Sequence, residues 1–319
     1  MKTFFEIVRS IAEVAACILL FSHFYPLAHY WSPYPSSEET DKIVEFWLFI
    51  VTAIFFSLAA GTNTIIAWKK ERLIRKAKFV SVLPIVNAAY TKIHTTMGND
   101  KSTPIDYLGA FNDFCNRLSE AFSNITGRHC HVCIKISNSK TVNGSIVYYA
   151  KTISREKRRV NNYVGPTRHS RDRTHSASYL ENTDFNEIFN NIENNNAERF
   201  FFCNSLPKRQ RKKGYLNSSF TFYNMPNTGP EKKTFLKFFN RREKWPLAYK
   251  STMVAPICPS IDDPNSQDPI AGFLCIDSEE VNTFIKQDDI GLLMGCANGL
   301  FNAIEEYKKK MAAASKGTH

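Results

Sequence analysis

Two long apolar stretches occupy the first fifth of the chain, at residues 11–31 and 46–68. Because about 20 apolar residues in a helix cross the hydrocarbon core of a bilayer, both are long enough to predict membrane spans. The second contains no charged residue and carries Trp47 and Trp68 near its ends, where interfacial aromatic residues are common. The first contains Glu13, which leaves a buried amphipathic helix or a cleaved signal sequence as alternatives.

Charged residues beside the two stretches predict the orientation of this hairpin. Lys2 and Arg9 precede the first stretch, the connecting segment 32–45 is acidic, and a basic run follows the second. Because positive charge stays on the cytoplasmic side, we expect both chain ends in the cytoplasm of a multi-pass protein of the cytoplasmic (inner) membrane. The basic residues expected at the lipid bilayer surface are Lys69, Lys70, Arg72, Arg75, Lys76 and Lys78.

Apolar residues then recur at helical spacing in three segments. The first covers residues 79–98 and is interrupted by Pro84; through this linker helix and the terminal helices we expect a homodimer. A second helix is expected to begin at Ser102-Thr103-Pro104 and to end at Thr126, before a glycine. The third segment covers residues 288–311 and ends beside three lysines, which are favourable near a helix C-terminus.

Five segments have the apolar pattern of strands, at residues 129–136, 146–153, 199–204, 252–258 and 270–276. Helix, strand pair, irregular middle, strands and helix predict an α+β fold in which helices cover one face of an antiparallel sheet. The sequence therefore divides into a hairpin at residues 1–68, a basic linker helix at 69–104 and an α+β cytoplasmic domain at 105–313.

Charge is distributed unevenly between the hairpin and the rest of the chain. The whole sequence has a formal net charge of +11, but residues 1–68 hold three basic and six acidic residues, so residues 69–319 carry +14. A basic domain beside an anionic lipid surface explains this excess. Nucleic-acid binding is the alternative, and it is not expected because no recognised binding motif accompanies the charge.

The eight cysteines are scattered rather than arranged as a disulfide framework. In a reducing cytoplasm they are expected to be free thiols, mostly small buried hydrophobic residues. His129-Cys130-His131-Val132-Cys133 contains the residue types of a metal site, but alternation along a strand places Cys130 on the opposite face from the other ligands. No second Cys/His pair at zinc-site spacing follows, so no metal ligand is assigned.

A more specific pattern lies in the last two strand segments. Tyr249-Lys250-Ser251-Thr252-Met253-Val254-Ala255-Pro256-Ile257 is a strand that begins with Ser-Thr and ends in Pro-Ile, and residues 270–278 form a glycine-led strand ending in Asp277-Ser278. A helix that opens at Asp288 follows. This order resembles the closing half of a GAF domain. Cys203-Asn204-Ser205-Leu206 falls where many members have Asn-Asp-Leu, although Ser205 replaces the Asp.

The GAF resemblance, which covers about residues 105–310 in the order of its elements, implies a small-molecule site on the sheet face opposite the terminal helices. Basic insertions at 155–179 and 208–250 would roof this site and favour a phosphate-bearing ligand, unless they are solvated loops. Polar residues at the mouths of the predicted strands are the candidate ligand-binding residues: Asn204, Tyr249, Ser251, Asp277 and Ser278. A turn-capping role is the alternative for Asp277.

The sequence contains no glycine-rich phosphate loop, nucleophile elbow, zinc-protease motif or kinase signature, so no catalytic residue is assigned and no enzyme is expected. Methionine sulfoxide reduction, which some GAF-like proteins perform with cysteines, is the enzymatic alternative. The cofactor is unknown, because the signatures of cyclic-nucleotide and bilin binding are not recognisable.

We expect a membrane-tethered sensory, signal-transducing protein in which an unknown small molecule alters assembly or the activity of a partner. The alternative is a membrane-perturbing effector of a prokaryotic antiviral defence system, triggered by a nucleotide-like signal.

Overall fold

The structure is a computed structural model that describes residues 38–157, 176–218, 245, 247–259 and 270–316. The chain divides into two compact units, Met1–Val80 and Ser81–His319. The long helix α1, Glu38–Met97, contributes to both units. Pro84, which interrupts the sequence pattern, lies inside this helix without ending it.

The predicted transmembrane hairpin is not supported. Its first span, residues 11–31, lies outside the described residues, and its second, residues 46–68, lies within α1. None of the helices described is long and apolar enough to cross a membrane. The predicted multi-pass location in the cytoplasmic membrane is therefore wrong.

The basic residues of α1 that were predicted for a membrane surface are exposed or partly exposed. The guanidinium of Arg72 lies 5.5 Å from the ring centroid of Trp68, and that of Arg75 lies 5.9 Å from the ring of Phe79. Such cation–π contacts between residues four positions apart stabilise one helical face.

The described strands of the second unit form one antiparallel sheet in the order β3-β2-β1-β6-β5-β4. These strands are β1 (Cys130–Val142), β2 (Ser145–Arg155), β3 (Ser176–Ser178), β4 (Phe201–Cys203), β5 (Ser251–Ile257) and β6 (Gly272–Ser278). The turn between β1 and β2 is Asn143-Gly144, and both residues have positive φ angles (49° and 78°), as a two-residue hairpin requires.

The described helices that follow α1 are α2 (Pro104–Thr126), α3 (Thr183–Glu193), α4 (Leu206–Lys213), α5 (Lys286–Gly299) and α6 (Phe301–Lys316). The ends of α2 are those predicted from the sequence. The Thr103 hydroxyl accepts a hydrogen bond from the N–H of Asp106, whose carboxylate accepts one from the N–H of Thr103. At its other end, Gly127 has the left-handed φ of 69° that glycine favours.

The segment 288–311, predicted as one helix, belongs to α5 and α6. The hydroxyl of Tyr90 donates a hydrogen bond to the carbonyl oxygen of Cys296 at 2.5 Å. In an unbroken helix that oxygen would accept from the N–H of Leu300. The Leu300 N–H instead donates to the carbonyl of Ala297 at 3.0 Å. A tertiary contact therefore accompanies the break between the two helices.

Helices cover one face of the sheet, which we call the helix face. The last turns of α1 pack there together with α2, α5 and α6. The strand side chains buried on this face include Val132 and Ile134 of β1, Ala255 of β5 and Ile276 of β6. This arrangement confirms the predicted α+β architecture, with helices segregated to one side of an antiparallel sheet.

The opposite face, which we call the loop face, is covered by the parts of the connection 176–218 that lie outside β3 and β4, including α3. The ring of Phe273 on β6 lies 4.6 Å from the ring of Phe185 and 5.2 Å from that of Tyr179, between centroids. These aromatic contacts fasten α3 and the short 3-10 turn Tyr179–Glu181 over the sheet. This is the face on which the sequence resemblance led us to expect a small-molecule site.

Gly272 allows the two central strands to approach each other. A Cβ atom built on this residue would lie 2.2 Å from the carbonyl oxygen of Lys135 on β1. The restriction is spatial, since the φ angle of Gly272 is not in the left-handed region. Only glycine fits at this point of the β1–β6 pairing.

We predict that Gly272→Ala destabilises the protein by about 2–4 kcal/mol, because the new methyl group must displace backbone rather than a flexible side chain. Gly291→Ala is the matched control: Gly291 lies inside α5 with no atom within 4 Å of an added Cβ. This second change is expected to be stabilising by roughly 0.5–1 kcal/mol. Urea unfolding measures both, and equal effects would contradict the tight approach of β1 and β6.

Candidate functional site

The register between β1 and β6 sets the side chains of the loop face in rows. His131 is opposite Asp277, Cys133 is opposite Cys275, and Lys135 is opposite Phe273. On the next strand Thr252 is opposite Asp277, and its hydroxyl donates a hydrogen bond to that carboxylate at 2.6 Å. The loop face therefore carries polar side chains at Thr252, Asp277 and Lys135 beside the apolar group of Cys133, Cys275 and Phe273.

Asp184 lies in the first turn of α3 and is only 6% exposed. One of its carboxylate oxygens accepts a hydrogen bond from the N–H of Phe185 at 3.1 Å. The start of α3 is held in place by the segment after α4: the N–H of Thr183 donates to the carbonyl of Leu216, and the N–H of Leu216 donates to the Thr183 hydroxyl. Asp184 is thus a buried carboxyl on a fixed piece of backbone.

The electrostatics of Asp184 link it to the sheet beneath. Burial raises its pKa from 3.8 to about 7, with a further rise from the negative charge of Asp277. The positive charge of Lys135 acts in the opposite direction. Asp184 therefore carries a desolvation cost that its surroundings only partly offset.

Lys135 brings a positive charge to the same region. Its ammonium group donates a hydrogen bond to the hydroxyl of Thr152 on β2 at 2.7 Å and lies 5.8 Å from the ring centroid of Phe185. The neighbouring hydroxyl and ring hold this cation in place without neutralising it. Lys135 is partly exposed, so a ligand could reach it.

Two tyrosines complete the polar group. Tyr215 is 1% exposed, and burial raises its pKa well above the ordinary value, with Asp184 acting in the same direction. The side-chain amide of Asn217 donates hydrogen bonds to the hydroxyl oxygens of Tyr215 (3.4 Å) and Tyr249 (3.1 Å). We call Lys135, Asp184, Tyr215, Thr252 and Asp277 the loop-face cluster.

The structure brings only some of the sequence-predicted ligand residues to this cluster. Asp277 belongs to it, and Tyr249 reaches it through Asn217. The other three occupy different positions. Asn204 exchanges hydrogen bonds with the backbone of Phe284, the hydroxyl of Ser251 donates to the carbonyl of Glu280, and Ser278 lies opposite Ser251 in the sheet. These contacts connect strand ends to the segment before α5.

The basic insertions predicted to roof the site lie largely outside the described residues, which stop at Lys157 and Ser218 before each of the two longest gaps. The described part of the second insertion includes α4, a helix rich in lysine and arginine. Arg209 of α4 forms an ion pair with Glu187 and lies over the ring of Phe201. This arginine holds α4 against α3 and β4.

Sequence reasoning missed Asp184 and Lys135. A signal for α3 exists, because Phe185, Ile188 and Ile192 recur at helical spacing after Asn182-Thr183. An aspartate in a first helical turn is ordinary, however, and Lys135 on a strand reads as a solvent-facing residue. Their convergence depends on the tertiary packing of α3 over β1.

No group of three metal-ligating side chains occurs among the residues for which side chains are described. His131, one of the metal-ligand types in the 129–133 segment, has its Nδ1 2.7 Å from a carboxylate oxygen of Glu156, and both residues are buried. The other oxygen of Glu156 accepts from the N–H of Val132 at 3.0 Å. This pair ties the end of β2 to the start of β1.

Comparisons with known proteins give matches among solved structures only. No protein-family model and no curated protein matches the chain. Among solved structures, 25 chains match it. The GAF domain of a phosphoenolpyruvate-protein phosphotransferase from Coxiella burnetii is 14% identical, with 73% of this chain and 98% of that one covered and a TM-score of 0.39.

Two further structures show the same level of likeness. The GAF domain of the Acinetobacter phosphoenolpyruvate-protein phosphotransferase is 10% identical, covering 71% of this chain and 94% of that one, at a TM-score of 0.37. Type II free methionine-R-sulfoxide reductase from Thermoplasma acidophilum is 11% identical, covering 63% and 96%, at a TM-score of 0.34. Such low scores say nothing of function. The fold of the second unit is GAF-like, with the element order that the sequence resemblance implies.

We predict that Asp184→Asn changes how stability depends on pH. Because the pKa of Asp184 is raised on folding, the folded state holds this proton more tightly than the unfolded state. Its contribution to stability is therefore present below about pH 4 and is lost as the pH rises to about 7, by on the order of 4 kcal/mol. The asparagine variant lacks this loss and is expected to be more stable than the wild type at pH 8.

Urea unfolding across this pH range gives the difference between wild type and variant. Glu193→Gln, an exposed change at the end of the same helix, serves as the control and is expected to track the wild type. A difference between Asp184→Asn and wild type that stays constant with pH would contradict the buried state of this carboxyl.

Proposed function

We propose that the second unit is a ligand-binding regulatory domain and that its ligand is a small molecule carrying a protonated amine. The observation that carries this proposal is the buried carboxyl of Asp184, whose pKa burial raises to about 7 and which also senses the negative charge of Asp277 on the loop face. A buried carboxylate without a full counter-charge is costly, and groups with strongly shifted pKa values cluster at functional sites.

An amine suits the loop-face cluster because its positive charge would compensate the carboxylate of Asp184. An ammonium group placed between Asp184 and Asp277 would form charge-assisted hydrogen bonds with both carboxylates. Lys135 stands on the same face with its charge only partly compensated, so it could bind an acidic group of the same ligand. A small zwitterion, such as a free amino acid, has both groups.

A phosphate-bearing ligand, as predicted from the basic insertions, fits the described residues less well. Asp184 and Asp277 would repel a phosphate placed between them. Lys135 is the cation of the loop-face cluster, and Arg209 is already paired with Glu187. We therefore prefer the amine, with any acidic group of the ligand directed to Lys135.

A regulatory role follows from the position of the site on the sheet. Ile134 is buried against the helices while its neighbour Lys135 faces the cluster, so a shift of β1 affects both faces. The helix face holds the last turns of α1 through Ala89 and Ile93, and Tyr90 hydrogen-bonds to α5. We propose that ligand binding changes the packing of these helices and thereby the activity of a partner.

Neither an enzymatic role nor the effector alternative has support from a specific contact of the described residues. The cysteines of the loop face lie beneath the cluster in the strands, and no described side-chain group forms a nucleophile with an adjacent general base there. The effector hypothesis depended on membrane spans that the described helices do not provide.

Thermal unfolding of the full chain with simple probes tests the proposed ligand class. Free amino acids are expected to raise the melting temperature by a few degrees, because a ligand that binds only the folded state stabilises it. Putrescine, which has amines but no acid group, is expected to act more weakly, whereas succinate and inorganic phosphate should have no effect.

Two variants test whether a change in melting temperature caused by amino acids depends on Asp184. Asp184→Asn is expected to abolish the shift caused by amino acids, while Glu193→Gln on the same helix should preserve it. Stabilisation by phosphate but not by amines, or an amine effect that persists in Asp184→Asn, would refute the assignment of the ligand class to this carboxyl.

A further inference from the structure

Two cysteines face each other in the middle of the sheet. Cys133 on β1 is directly opposite Cys275 on β6, and both side chains point to the loop face. Each is 4% exposed, and both are free thiols. They lie in the row next to that of Asp277, yet the proposed ligand contacts make no use of them.

The spacing of the two cysteines matches that of a disulfide. Opposed residues of antiparallel strands have Cα atoms about 4.5–5.5 Å apart. Disulfides join Cα atoms about 4.4–6.8 Å apart. The pair Cys133 and Cys275 can therefore be bridged with small movements of the side chains, without a change in strand register.

The two thiols also differ in reactivity. A hydrogen bond from the Cys275 thiol is the largest influence on Cys133 and lowers its pKa; Lys135 and Arg155 act in the same direction, against the effect of burial. The pKa of Cys275 is raised by the same pairing. Cys133 is thus the better nucleophile, and Cys275 is its proton-bearing neighbour.

Other described cysteines lie in environments that raise the pKa of the thiol. Burial raises the pKa of Cys130 and of Cys296 to about 12, and both lie in the core of the helix face. Thiols of this kind are inert hydrophobic residues. The loop-face pair differs also in access, since Lys135 and Asp277, which flank it along the strands, are partly exposed.

We propose that Cys133 and Cys275 form a redox-active dithiol that a peroxide oxidises to a disulfide in the floor of the loop face. The Cys133 thiolate attacks one oxygen of hydrogen peroxide, the O–O bond breaks, and the departing hydroxide takes a proton to become water. The sulfur of Cys275 then attacks the Cys133 sulfenic acid, so that an S–S bond forms and the S–O bond breaks. The second hydroxide leaves with the Cys275 proton as water, and two thiols are oxidised for one peroxide reduced.

Peptide mapping of the full chain tests this proposal. The reduced protein is treated with hydrogen peroxide, unfolded, blocked with N-ethylmaleimide, digested and analysed by mass spectrometry. We expect a cross-linked pair of peptides that contain Cys133 and Cys275, lighter by two hydrogen atoms than the sum of the free peptides and separated again by dithiothreitol. Full blocking of both cysteines after peroxide treatment, or a bridge between either one and another cysteine, would overturn the proposal.

Variants establish the order of the two steps. In Cys275→Ser the sulfenic acid on Cys133 cannot be resolved, so dimedone is expected to label Cys133 in this variant and not in the wild type. Cys203→Ser removes another buried thiol of the loop face, on β4, and should leave the cross-link unchanged. Loss of the cross-link in Cys203→Ser would contradict the pairing of Cys133 with Cys275. If a variant does not fold, the peptide map of the wild type alone tests whether this disulfide forms.

Discussion

The close pairing of β1 with β6 is the constraint on which the rest of the second unit depends. Gly272 allows the two backbones to approach at Lys135, and the register that follows fixes which side chains lie on each face. Val132 and Ile134 face the helices, whereas Cys133 and Lys135 face the connection. A shift of one residue would exchange these two sets and remove both the core and the site.

The two faces of the sheet contribute differently to stability. The helix face is apolar and supplies the stability of the domain, in keeping with the dominance of hydrophobic burial in folding. The loop face contains costly groups: a desolvated carboxyl at Asp184, a second one at Asp277, and a thiol pair between strands. Aromatic packing of Phe185 on Phe273 holds the carboxyl over the strands despite this cost.

Local patterns in the sequence predicted most of the fold and little of the site. The ends of α2 were predicted because a capping box and a terminal glycine are local signals. The break between α5 and α6 was not, since it is associated with Tyr90, 206 residues away from Cys296. For the same reason Asp277, at a strand end, was found, whereas Asp184 was missed: its position depends on how α3 packs on the sheet.

The central claim is that Asp184 is a desolvated carboxyl above the β1–β6 strand pair. A ¹³C NMR titration of the aspartate side chains, with the Asp184 signal assigned by its loss in Asp184→Asn, measures this directly. The account predicts an apparent pKa of about 7 for Asp184 in the free protein. A pKa near the ordinary value of 3.8 would show that the carboxyl is solvated and would contradict the account.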